Sequence, residues 1–148
     1  MNDNRSADYS PVLARLTTTA LVIVLGVGLA AIAGGYMIIQ SELYPPVENS
    51  LVRNILFIAG IIDLGVVQFL KKTLLFKARL SSEESGQNYR AILPVTLVIA
   101  GMCSAISIYG LAAVLVGSSL EVLLFFVAVS LIGFQLFRIR AKDLEKRH

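Results

Sequence analysis

The sequence has no tryptophan, one cysteine, one histidine and four prolines among 148 residues, and only 16% of it is charged. One cysteine excludes an internal disulfide, so a secreted disulfide scaffold is ruled out. That cysteine, Cys103, lies inside an apolar run, and the lone histidine is His148. A metal site would therefore have to be built from carboxylates, and only one carboxylate falls within an apolar stretch. Hydrophobic residues make up 56% of the chain and the mean hydropathy is +0.76. Soluble domains hold about 45–50% apolar and about 25% charged residues. A surface facing water cannot absorb the difference on so small a body, which excludes a soluble enzyme and a nucleic-acid reader.

What is present is four long apolar runs. A membrane-spanning helix needs roughly 17–25 mostly apolar residues. The runs predict spans at 16–40, 50–72, 91–117 and 119–138, with a polar connector at 77–90, in one membrane domain covering 1–148. A transmembrane barrel would show alternating segments of about ten residues, and these runs do not alternate. The expected fold is all-α: a four-transmembrane-helix bundle, antiparallel and up-down. Pro46 suits a first helical turn, which predicts a second helix from about Pro46 to Leu80 with Glu48 in its first turn, favoured there by the helix dipole. Residues 81–90 are expected to be a loop, or a loop with one helical turn. Residues 117–120 read as a tight turn. The first fifteen residues are polar and expected to be poorly ordered, and they look unlike a cleaved signal.

Charge predicts orientation. Arg5 and Arg15 precede the first run. Lys71, Lys72, Lys77, Arg79 and Arg90 lie between the second and third, and Arg138, Arg140, Lys142, Lys146 and Arg147 follow the fourth. Arg53 alone is on the other side, with Glu42, Glu48 and Glu121. Lys and Arg near span ends stay cytoplasmic, so both termini and the 71–90 segment are expected inside, in a multi-pass protein of a bacterial inner membrane. Tyr36, Tyr44 and Tyr109 then fall near the outer headgroups and Tyr89 near the inner ones.

Asp63 is the one charge well inside a span. A carboxylate at the bilayer centre costs about 2.5–3.5 kcal/mol, so it must face protein or water, or take up a proton. Eight residues separate it from Lys71, a depth of roughly 12 Å. Counted inward from the same side, Gly26, Cys103, Ser104 and Ser130 share that layer, so the expected partner is Ser104 or Ser130 and the three form a candidate proton site. Gln68 and Gln135 are a candidate second polar layer. Small residues let membrane helices approach closely. Gly26, Ala30 and Gly34, with Gly28, Ala31 and Gly35 beside them, and Gly101 with Ala105, are read as helix-packing stripes, serving the bundle itself before a second subunit. Phe125, Phe126, Phe134 and Phe137 are expected to face lipid.

The stretch SAISIYGLAAVL, residues 104–115, resembles the carboxylate-bearing helix of rotary ATPase proteolipid subunits, where an acid precedes a small-apolar run and Tyr-Gly-Leu. Ser104 stands where that acid would be, and the Arg-Asn/Gln-Pro loop is absent. The overall plan resembles a group of small bacterial four-helix integral membrane proteins without assigned activity, through Tyr89-Arg90-Ala91, Ala105 to Leu111 and Phe137-Arg138 over the last sixty residues. That second resemblance implies a fold more than a function.

The expected function is non-enzymatic: a structural or accessory membrane protein, or a small subunit of a larger membrane assembly. The alternative is an ion-translocating proteolipid or small transporter using Asp63. No catalytic set and no phosphate-binding glycine loop can be assembled, and no cofactor or metal is expected. Expected partners are the lipid bilayer and a membrane protein or a second copy of this chain, not nucleic acid.

Overall fold

The structure is a computed structural model. It describes residues 6–41, 47–85 and 88–140, with side chains described over 11–41, 47–74 and 92–140. The described residues form four helices: α1 (Ser6–Ile39), α2 (Ser50–Ser85), α3 (Asn88–Leu115) and α4 (Leu120–Phe137). Each holds a stretch long and apolar enough to cross a membrane: Pro11–Ile39, Ser50–Leu74, Ile92–Leu115 and Leu120–Phe137.

The helices outrun the apolar stretches at the polar ends. α1 begins at Ser6, ten residues before the expected start, and α2 reaches Ser85, so the expected 81–90 loop shrinks to the link before Asn88. Hydropathy marks where the membrane stops, whereas Ala, Leu, Arg, Lys and Glu continue a helix well beyond it. With 36 residues, α2 is about 54 Å long, beyond the roughly 30 Å of the bilayer core.

The start of α2 corrects a second expectation. Asn49 is its N-cap, with Oδ1 accepting from the Val52 N–H at 3.2 Å, so an orphan donor of the first turn is satisfied. Glu48 lies before the helix rather than in its first turn. It accepts from Arg53 Nη1 at 2.9 and 3.0 Å and from Ser118 Oγ at 2.7 Å. The Asn49 N–H also donates to the Val116 carbonyl at 2.9 Å. These bonds fasten the entry of α2 to the turn between α3 and α4. That turn ends α3 in a Schellman motif, Ser118 N–H to Ala113 O and Gly117 N–H to Val114 O, both 3.0 Å. Gly117 takes the left-handed φ of +93° that the motif needs. A side chain there would also lie 3.0 Å from Glu48 Cα.

α3 is the hub. It packs against all three other helices, α4 also lies along α1, and α1 and α2 barely meet. Two apolar clusters fill the interior. One joins Val24, Val67, Ile99, Cys103 and Phe134. The other joins Ala31, Val114, Leu123 and Val127. Close approach is made at glycines: a Cβ on Gly28 would lie 3.0 Å from Val127 Cγ1, and one on Gly133 2.8 Å from Leu64 Cδ2.

Of the four phenylalanines expected to face lipid, Phe125 is exposed, Phe137 is half-buried against the first cluster, and Phe126 and Phe134 are only 2% and 1% exposed. Phe126 stacks on Phe57 of α2 at 4.7 Å between ring centroids.

Candidate functional site

Asp63 stands on α2 and faces α3. Tyr109 Oη donates to Asp63 Oδ2 at 2.7 Å, in partly buried surroundings. The expected partners sit elsewhere. Ser130 Oγ donates instead to the Cys103 carbonyl at 2.6 Å, tying α4 to α3. Ser104 Oγ is buried with no hydrogen-bond partner, and Ser107 Oγ is in the same position.

Helix geometry explains the separation. Tyr109 is five positions beyond Ser104, which turns it about 140° round α3 at 100° per residue. Ser107 lies beside Gly28 of α1, and Ser104, one turn back, shares that face. Tyr109 is on the α2 side. Register then selects Tyr109. The helices α2 and α3 are joined through a short link, so residues equidistant from it meet. Asp63 is twenty-two residues before Ser85, and Tyr109 is twenty-one residues after Asn88. The depth estimate started at Lys71, but α2 does not turn there. Tyr109 therefore belongs with Asp63 rather than with the headgroup tyrosines. Of those, Tyr36 is exposed and accepts from Gln40 Nε2 at 2.6 Å, while Tyr44 and the side chain of Tyr89 lie outside the described residues.

The packing stripes are displaced by a fraction of a turn. Gly34 meets Leu111 and Ala105 is half-buried, but Gly26 and Gly101 have nothing within 4 Å of a Cβ position, and Gly26, Ala30 and Gly101 face outward. The face of α1 that packs runs through Ala20, Val24, Gly28, Ala31 and Gly35. Gln68 and Gln135 are both exposed and form no layer.

Chemically, a carboxyl and a phenol in contact can hold two helices together or exchange a proton with a third group. The nearest hydroxyls on α3 face α1, so the pair is not continued by them. Among the described residues no three of His, Cys, Asp or Glu gather where they could hold a metal ion. No protein-family model matches the chain, and comparison with characterised proteins and with solved structures finds no match. Neither resemblance read from the sequence is thus joined by a relative, and the four long apolar helices identify a small membrane protein and nothing narrower.

Proposed function

We propose that this chain is a non-enzymatic, multi-pass membrane protein that serves as an accessory or small subunit of a larger membrane assembly. The observation that carries the reading is the outward set of small residues: Gly26 and Ala30 on α1 and Gly101 on α3, unused by the bundle's own packing. In lipid, where apolar surface alone gives helices no reason to associate, small residues are what allow a neighbouring helix to come close. The weak burial of α2 fits the same reading, since Gly60 and Val67 are its buried residues among those with described side chains. The test is mild solubilisation from native membranes followed by identification of co-migrating chains. Stoichiometric companions are expected, and Gly26→Ile should release them while leaving the fold intact. A monomer without companions in native membranes would end this reading.

The bundle is read as up-down with both termini and the Lys71 end of α2 in the cytoplasm. Paired contacts that run in opposite sequence order support antiparallel neighbours: Gly28 with Val127 and Gly35 with Leu123 for α1 and α4, and Cys103 with Ser130 and Gly110 with Leu123 for α3 and α4. The basic residues then choose the side, which suits a bacterial inner membrane. In a Cys103→Ser background, Val47→Cys should be labelled by an impermeant thiol reagent added to whole cells and Ser85→Cys spared. The reverse pattern would invert the orientation.

A second reading, a proton-translocating proteolipid or small transporter, is favoured by one observation: Asp63 is only partly buried, so its carboxyl is not sealed inside the bundle.

A further inference from the structure

α1 and α2 both pack on α3 and barely meet each other, so a strip of α3 between them is left uncovered. Leu97, Gly101 and Ile108 lie along it and are exposed. Helix geometry places Gly101 about 60° round α3 from Ser104 on the α1 face, about 80° from Tyr109 on the α2 face, and about 180° from Gly110, which meets α4. We propose that this strip seats a transmembrane helix of another membrane protein, one carrying a lysine or arginine that pairs with Asp63. Gly101 has nothing within 4 Å of a Cβ position, which lets a neighbouring helix come close, but a small residue alone does not identify an occupant.

Asp63 does. It stands thirteen residues after Ser50 and eleven before Leu74, near the middle of its span. Tyr109 Oη donates to Oδ2, and among the described residues Oδ1 has no partner. Asp63 is partly exposed beside Tyr109, on the α2 flank of the strip, at a depth where lipid offers no hydrogen-bond donor. Ionisable groups inside a membrane pair with one another. An ammonium or guanidinium supplies both the missing donor and the opposite charge. A second copy of this chain lacks such a group at this depth. Among the described residues every Lys and Arg lies near or beyond the end of a span, Arg53 and Lys71 of α2 being ten and eight residues from Asp63. Arg53 is also held by Glu48 at 2.9 Å.

This surface rests on the accessory reading for the existence of a partner, but its test needs no native companion, so the two can fail separately. The full-length protein and a synthetic helix of about twenty leucines and alanines with one central lysine, each carrying a fluorophore, are reconstituted together in phosphatidylcholine vesicles. Energy transfer reports their association. A central lysine meets Asp63 whichever way the peptide inserts. Wild type should bind this peptide about tenfold more tightly than one with leucine in place of the lysine, as expected for a hydrogen bond to a charged group. Asp63→Asn keeps an acceptor for Tyr109 and should abolish that preference at unchanged helix content. Gly101→Ile should weaken binding of both peptides. Gly65→Ile should not, since Gly65 is exposed with nothing within 4 Å of a Cβ position and lies about 160° round α2 from Asp63. Equal binding of the lysine and leucine peptides by wild type would overturn the proposal, even where native companions co-migrate and the accessory reading stands. So would a preference that survives Asp63→Asn in folded protein. Equally tight binding of a central-glutamine peptide would replace the basic partner with a neutral donor. Energy transfer between labelled copies of this chain, lost in Asp63→Asn, would put a second copy on the strip. Either result overturns the assignment to a basic helix.

Discussion

Replacing Gly110 by alanine is expected to destabilise the isolated bundle by about 2 kcal/mol, within the range for overpacking a full interior. A Cβ at this position lies 2.8 Å from Phe126 Cβ, 2.9 Å from Leu123 Cδ1 and 3.3 Å from Leu123 Cα. The leucine methyl can rotate away. The other two atoms move only with the backbone of α4, so α3 and α4 would have to separate. Separation would also stretch the buried Ser130 to Cys103 bond and lift Phe126 from Phe57. The control is Gly26→Ala, where nothing lies within 4 Å. There alanine's better helix propensity acts without a clash, and the change should be neutral or stabilising by up to about 1 kcal/mol. Unfolding in mixed micelles by increasing sodium dodecyl sulfate, followed by circular dichroism, gives both numbers. Equal stability of Gly110→Ala and wild type would mean that α3 and α4 do not approach so closely.

The contrast between these two glycines shows what the sequence made legible. Four spans were readable because an apolar run of some twenty residues has few other uses. Their inward faces were not, because in a helix apolar all round, hydropathy carries no direction. Spacing of small residues narrowed α1 to neighbouring stripes but could not choose between Gly26 with Ala30 and Gly28 with Ala31, which differ by a rotation of the helix. In α4 the direction was marked by Ser130 and Gly133, both buried on the face that also carries Phe126 and Phe134. Reading the four phenylalanines as one set pointed all of them at lipid. Helix ends were illegible for a separate reason: residues 6–10 and 75–85 lie beyond the candidate spans without leaving the helix. Glu48 was noticed as an acid near a helix start, but its partners Arg53 and Ser118 come from folding the α3–α4 turn against it, and Ser118 lies seventy residues away.

Asp63 was conspicuous in the sequence and its partner was not, and that partner now allows a test of whether the acid is structural. If the carboxyl serves to hold α2 on α3, Asp63→Asn should cost less than about 1 kcal/mol, because the amide oxygen still accepts from Tyr109 Oη. Asp63→Leu should cost about 1–3 kcal/mol, since it leaves the phenol without its acceptor. Tyr109→Phe removes the donor and should cost a comparable amount. The double variant Asp63→Leu/Tyr109→Phe should then recover part of the loss, with a coupling of roughly 0.6–1.7 kcal/mol, the span found for hydrogen bonds between membrane helices. Additive losses would show that the two side chains do not act as a pair. A proton carrier makes the opposite demand. An amide cannot exchange a proton, so Asp63→Asn would abolish transport at full folded yield. The contact with Tyr109, and the turning of Ser104 and Ser107 toward α1, favour the structural outcome. Vesicles reconstituted with wild type and with Asp63→Asn should therefore show the same proton permeability under an imposed gradient. Proton uptake present in wild type and lost in an equally folded Asn variant would replace the accessory reading with the transport one.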